Sequence, residues 1–189
     1  MMAVTLNLEP LTQAFTREQF YELCQANQDI QLERSPTGAL IIMPPVGGLS
    51  GKGEADLISP LWYWNKQTRL GVVFSSATIF SLPGGGDRAP DVAWVKRERW
   101  EALTPEEQEK FPPICPDFVI ELRSRTDRLT ALQEKMQEYL ASGLRLGWLI
   151  NPQDKQVEIY RPGEEMEQMQ YPVILSGETL LPGFTLEIA

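Results

Sequence analysis

The sequence predicts a mixed α/β fold: a central mixed β-sheet flanked by helices, with additional β-hairpins. Three observations predict it. A strand–helix–strand pattern runs from Asp117 to Ile150; such a unit is a right-handed crossover and implies a parallel pair. Hairpin patterns lie on either side of it, at 30–43 and from Gln156 to Ile174, and add antiparallel strands. No repeat, linker or break in composition divides the 189 residues, and 42% are apolar, enough for one core, so a single domain over 1–189 is expected.

The elements follow in order. Thr16-Arg17-Glu18-Gln19 is a capping-box start for an amphipathic helix through about Gln25. Ile30–Glu33 and Ala39–Met43 form a hairpin that turns at Ser35-Pro36-Thr37-Gly38. After the loop Pro44–Gly48, a helix runs from about Ser50 to near Gly71, with Pro60 as a point of bending. Val72–Ser75 and Asp91–Val95 read as strands, and Leu82–Arg88 between them as a flexible, glycine-rich turn region. Thr104-Pro105-Glu106-Glu107 combines an N-cap, proline at the first helical position and an acid three residues after the cap, so a short surface helix follows. Asp117–Arg123 is a strand, Leu129–Ser142 a helix stopped at Gly143, and Gly147–Ile150 a strand. Gln156–Tyr160 and Gln168–Ile174 make a late hairpin.

Composition removes whole classes of chemistry. There is no histidine, which excludes Ser-His-Asp and Cys-His triads, HExxH metalloproteases and His-ligated zinc. An enzyme built from this chain relies on carboxylates, Lys, Arg, Tyr, hydroxyls or a hard metal ion, and magnesium or manganese suits carboxylates. Cys24 and Cys115 lie far apart without CxxC spacing, so neither a disulfide framework nor a zinc cluster is expected and a reducing cytoplasm is the default. The Met1–Asn7 start has no basic region before an apolar stretch and does not read as a secretory signal. No apolar run approaches the roughly 20 residues that cross a bilayer, so no membrane partner is expected. The net charge of -9 argues against generic, charge-driven nucleic-acid binding. Arg123, Arg125 and Arg128 nevertheless cluster after Glu121, and a local basic cleft on an acidic body can still guide a polyanion.

Alternation along the strand sends Phe118, Ile120 and Leu122 to one face of the sheet and Val119, Glu121 and Arg123 to the other. Asp91 heads the earlier strand, after Pro90. If the two strands are neighbours, two carboxylates converge where a hard cation can sit, polarise a phosphodiester and lower the pKa of a bound water. Each carboxylate alone is more often a surface or salt-bridged group; the pair carries the reading.

Pro90-Asp91 followed by Glu121-Leu122-Arg123 resembles the PD-(D/E)xK active site of the restriction-endonuclease-like superfamily. The similarity is closer to one branch, the Uma-type endonucleases, long catalogued as a domain of unknown function. It covers nearly the whole chain, through Leu32-Glu33, Met43-Pro44-Pro45, Asp87-Arg88-Ala89-Pro90-Asp91-Val92-Ala93-Trp94, Cys115–Ser124, Gln133–Tyr139, Gly147–Pro152 and Leu181-Pro182-Gly183-Phe184. The resemblance implies a restriction-endonuclease-like core, metal-dependent cleavage of DNA with Mg2+ or Mn2+, and an Asp91/Glu121 metal pair.

The chain departs from the motif at its lysine. Arg123 stands there, and arginine stays protonated, so it can contact phosphate but not act as a base. Some branches of the superfamily carry the lysine on the following helix. Lys135 lies at the edge of the apolar stripe Leu129, Leu132, Met136 and Leu140, one turn before Tyr139, and can bring its ammonium toward Glu121. The alternative is a solvated lysine paired with Glu134 or Glu138. The catalytic set expected is thus Asp91, Glu121, Arg123 and Lys135.

Other features weigh less. Glu33 could complete a metal shell, although a hairpin-end glutamate is usually exposed. Gly47–Gly53 with Lys52 fails as a phosphate loop, because Gly53 follows the lysine and the spacing is short. Trp62, Tyr63 and Trp64 could stack bases, but such a helical cluster more often packs in a core or across a homodimer interface. Trp94 and Trp148 read as core. Two rivals accompany the endonuclease: a non-catalytic nucleic-acid or protein-binding domain retaining the fold, and a metal-dependent phosphatase of small nucleotides.

Overall fold

A computed structural model describes the backbone of Val4–Leu6 and residues 15–189. The reading of the chain start lies outside the described residues except for that short strand. In chain order the elements are β1 (Val4–Leu6), α1 (Arg17–Ala26), β2 (Gln31–Arg34), β3 (Leu40–Met43), α2 (Gly48–Thr68) and β4 (Gly71–Ser75). The short strands β5 (Phe80–Ser81) and β6 (Asp87–Arg88) precede β7 (Val92–Lys96), α3 (Arg97–Glu101), α4 (Pro105–Glu109) and β8 (Phe118–Leu122). Then come α5 (Leu129–Ala141), β9 (Leu146–Asn151), β10 (Gln156–Tyr160), β11 (Glu167–Gln170), β12 (Val173–Ser176) and β13 (Thr185–Ile188).

The mixed fold expected from the sequence is present. Six strands form the central sheet in the order β11-β10-β9-β8-β7-β4. Its one parallel pair is β8 with β9, joined through α5, because a parallel return needs a crossover. Every other pairing is antiparallel. A second sheet, β1-β3-β2-β6-β5, stands beside it, and β12 pairs with β13 alone.

Local signals explain the boundaries. Thr16 and Thr104 both close capping boxes, each side chain accepting from the third helical residue's amide while that residue reaches back. The β2–β3 turn is closed by Ser35 N–H donating to the Ala39 carbonyl, and Gly38 takes φ 86°, where a side chain would be strained.

The strand alternation read from β8 divides two cores. Phe118 and Ile120 face α2, with Trp94, Trp148 and the C-terminal Leu181 and Phe184. Phe118 meets Trp148 edge-on at 4.8 Å, and Trp148 stacks on Phe184 at 6.0 Å. On the opposite face Val119 packs with Met136 and Tyr139 of α5 and with Phe80, Leu82 and Leu149. A third, smaller cluster joins Phe20 of α1 to Leu32 and Leu40.

Two expectations are corrected. The late hairpin does not run through Ile174: Pro172 has no amide to donate, the strand ends at Gln170, and Val173–Ser176 pairs with the C-terminal β13. Leu82–Arg88 is not a flexible turn region throughout. Gly85 turns the chain at φ 104°, but Asp87 and Arg88 form β6 and are buried. Among the described residues no helix is long and apolar enough to cross a membrane.

Candidate active site

Strand pairing brings the two sequence-predicted carboxylates together. Val92 of β7 is registered with Ile120 of β8 in an antiparallel ladder. Continuing that ladder one residue sets Asp91 opposite Glu121, and opposed residues share a face. The Leu122 amide donates to Asp91 Oδ2 at 2.6 Å, which fixes the aspartate against the end of β8. Both acids thus lie at the edge where the parallel strands β8 and β9 end, the usual place for a ligand site in such a sheet.

Lys135 reaches this point from α5. It is buried, and its ammonium lies 2.9 Å from Glu121 Oε1, 2.8 Å from Glu33 Oε1 and 3.1 Å from the Ala89 carbonyl. The solvated pairing with Glu134 or Glu138 is not what forms. Tyr139, one turn on, donates its hydroxyl to the same Glu121 oxygen at 3.0 Å. Arg88 donates to Glu33 Oε2 at 3.0 Å and to Glu138 Oε2 at 2.6 Å. Seven residues from four elements and one loop therefore form one connected cluster.

Arg123 goes elsewhere. It directly follows β8, and its amide still donates to the Ile150 carbonyl of β9 at 2.9 Å. Its guanidinium donates to Asp154 Oδ2 at 2.9 Å and Asn151 Oδ1 at 3.2 Å, while Arg125 and Arg128 are exposed. The structure brings Asp91, Glu121 and Lys135 together and leaves Arg123 at the rim.

The electrostatics follow from burial and crowding. Burial, and then the charge of Glu121, push Asp91 well above the ordinary carboxylate range, against the pull of Lys135 and the Leu122 amide. Glu121 is raised mainly by burial, with Lys135 opposing and Glu33 reinforcing. For Glu33, burial alone would raise the value, but Lys135 and Arg88 outweigh it and hold the carboxylate below its usual range. Lys135 is raised: burial favours the neutral amine, yet Glu121 and Glu33 overcome it. The ammonium is therefore a donor and a fixed charge, not a base.

These residues fit a hard divalent cation of one particular kind. Ionised, the cluster holds four carboxylates (Asp91, Glu121, Glu33 and Glu138) against two cations (Lys135 and Arg88), an excess of two negative charges. Buried charges are normally paired or bound to metal. Asp91 Oδ1 and Glu121 Oε2 accept no hydrogen bond from the described residues. Among the described residues no three His, Cys, Asp or Glu side chains form a ligand group. Two carboxylates completed by water suit Mg2+, which keeps much of its hydration; an all-protein cage is not built here.

The model of the Uma2 family, described as "Putative restriction endonuclease", matches residues 17–189. The chain belongs to this family. No curated protein matches. Among solved structures, this Uma2-family chain resembles "a putative nuclease belonging to DUF820 from Anabaena variabilis ATCC 29413", with a TM-score of 0.72. The two share 21% identity over 82% of this chain and 86% of that one, a likeness of fold.

Sequence reasoning undervalued Glu33 and did not single out Arg88, Glu138 or Tyr139. Usable signals existed: Arg88 precedes Pro90-Asp91 in one continuous motif, and Tyr139 stands one helical turn from Lys135. Of the three consecutive aromatics on α2, Trp64 packs against Trp94 and Phe184. Trp62 and Tyr63 are exposed and take no part in the core of this chain.

Proposed function

We propose that this protein is a divalent-metal-dependent endonuclease that hydrolyses DNA phosphodiesters, with Asp91 and Glu121 holding Mg2+ or Mn2+. The observation that carries the reading is the opposition of Asp91 and Glu121 across the β7–β8 ladder, with the Lys135 ammonium on Glu121. Family membership supports the same reading. The ion, when bound, supplies Lewis acidity toward a phosphodiester oxygen and acidifies water. Lys135 orients the attacking water and offsets charge that develops on the phosphate. Tyr139 and the Leu122 amide hold Glu121 and Asp91 in place. Arg123 contacts a phosphate at the rim once it gives up Asp154.

Cleavage of supercoiled plasmid with Mg2+, with Mn2+ and with EDTA tests this reading. Asp91→Asn and Glu121→Gln are expected to abolish nicking while circular dichroism stays native. Wild-type cleavage that persists in EDTA overturns the metal mechanism. Release of phosphate from small nucleotides with plasmid left intact overturns the substrate.

A further inference from the structure

Glu33 lies outside the two strands that carry the proposed metal pair. It sits in β2, in the second sheet, yet it is 2% exposed, and among the described residues its side-chain partners all belong to the active-site cluster. Its Oε1 accepts from Lys135 Nζ at 2.8 Å and from the Ala89 amide at 3.0 Å. Its Oε2 accepts from Arg88 Nη1 at 3.0 Å. Lys135 in turn donates to the Ala89 carbonyl at 3.1 Å, so both polar groups of the Ala89 backbone are tied to this pair. Ala89 lies two residues before Asp91.

We infer that Glu33 is a positioning residue: it ties Lys135 to the segment that carries Asp91 and holds the ammonium in the site independently of Glu121. The inference rests on the nuclease reading for its catalytic meaning, though the contacts stand without it. Two other roles fit less well. As a metal ligand Glu33 would have to turn from three donors that already share its two oxygens. As a stabilising ion pair it would be a poor investment, since buried ion pairs are often no more stabilising than apolar residues of similar size. The neighbouring buried pair Arg34–Asp87, at 2.6 Å, shows the contrast. It is completed by Ser81 and the Gly85 carbonyl and touches none of the catalytic groups.

The consequence concerns Glu121, which cannot serve as the ammonium's sole anchor if its charge is committed to a cation. A second anchor in another sheet keeps Lys135 beside the ladder. Nitrogen-15 NMR of the lysine ammonium groups reads this directly, because a buried, hydrogen-bonded ammonium exchanges its protons slowly. Lys135→Arg assigns the signal.

The Lys135 signal is expected to persist in wild type with saturating Mg2+ and in Glu121→Gln, and to disappear in Glu33→Gln. Cleavage by Glu33→Gln should fall at least about tenfold in kcat, the scale for losing a group that orients a catalytic residue. KM and Mn2+ affinity by calorimetry should be unchanged. A signal that survives Glu33→Gln, or one lost from wild type on adding Mg2+, overturns the proposal, and the Mg2+ arm needs no variant to fold. Weakened Mn2+ binding in Glu33→Gln makes it a ligand and also overturns it. A wild type that never cuts DNA yet gives the expected ammonium pattern sinks the nuclease reading and leaves the anchoring of Lys135 intact.

Discussion

The Tyr139 hydroxyl donates to Glu121 Oε1 at 3.0 Å, the same oxygen that receives the Lys135 ammonium at 2.9 Å. Two donors one helical turn apart on α5 therefore fix one carboxylate oxygen and leave the other without a donor among the described residues. Tyr139→Phe keeps the ring, which is fully buried, and removes only the hydroxyl. The expected stability loss is about 0.5–1.5 kcal/mol, the net worth of an ordinary hydrogen bond. Glu121 would then be held by the lysine alone, so Mn2+ should bind several-fold more weakly in calorimetry. Unchanged Mn2+ affinity would show that Tyr139 packs without orienting.

Lys135 carries a heavier structural load. Removing it leaves Glu33 and Glu121 buried with one cation fewer between them. Breaking a buried ion pair from one side costs about 3–5 kcal/mol, so Lys135→Ala should melt well below wild type. Cleavage per folded molecule should also fall about 10²-fold or more, the scale for losing a positioned electrostatic group. Plasmid nicking assayed below the variant's melting range separates the two effects. Full activity there would remove Lys135 from the mechanism.

Stability should depend on pH with a sign set by Asp91 and Glu121. Their folded-state values are raised, mainly by burial. The folded state therefore binds those protons more tightly than the unfolded chain. That contribution is complete below the ordinary carboxylate range, near pH 4, and is lost as pH rises through the folded values. Metal-free wild type should lose this increment on going upward in pH, and Asp91→Asn should lose less of it. At pH 8 without metal the variant is expected to melt above wild type, with the gap closing near pH 4. Glu33 has the opposite sign, losing its contribution on acidification, but it is common to both proteins and cancels in the difference. Mg2+ at 100 times its Kd should restore about 2.7 kcal/mol to wild type at pH 8 and little to the variant. Parallel pH profiles for the two proteins would contradict the electrostatic account.

What the sequence made legible was local. Period-two alternation placed Val119 and Glu121 on the α5 face, and the two capping boxes began α1 and α4 where expected. Lys135 at the edge of an apolar stripe was readable, but its partners were not. Glu33 is buried because β6 and α5 cover the end of β2, a consequence of long-range packing that hairpin propensity cannot express. The same holds for Asp87 and Arg88, polar residues beside a glycine-rich turn whose partners, Arg34, Glu33 and Glu138, come from distant parts of the chain. For Arg123, alternation gave its neighbourhood after Glu121 but not its partners, Asn151 and Asp154, which come from the end of β9 and the turn after it.

That last residue supplies a test of how nucleic acid is held. Arg123 is paired with Asp154 at 2.9 Å, and Asp154 is about half exposed, so the pair lies at the rim and contributes little to folding stability. A phosphate that approaches the Asp91–Glu121 edge competes with Asp154 for the guanidinium. Asp154→Ala removes the competitor and one negative charge beside the loop that carries Arg125 and Arg128. DNA binding measured with Ca2+ in place of Mg2+ should then tighten several-fold at low salt. Arg123→Ala should weaken it and lower the salt slope by about one counterion, from a shallow wild-type slope on the order of two to four. Asn151 remains as a partner in Asp154→Ala, so the arginine stays oriented while its charge is released. If Arg123→Ala leaves both affinity and slope unchanged, the rim arginine serves the 151–154 turn alone, and phosphate recognition falls to Arg125 and Arg128.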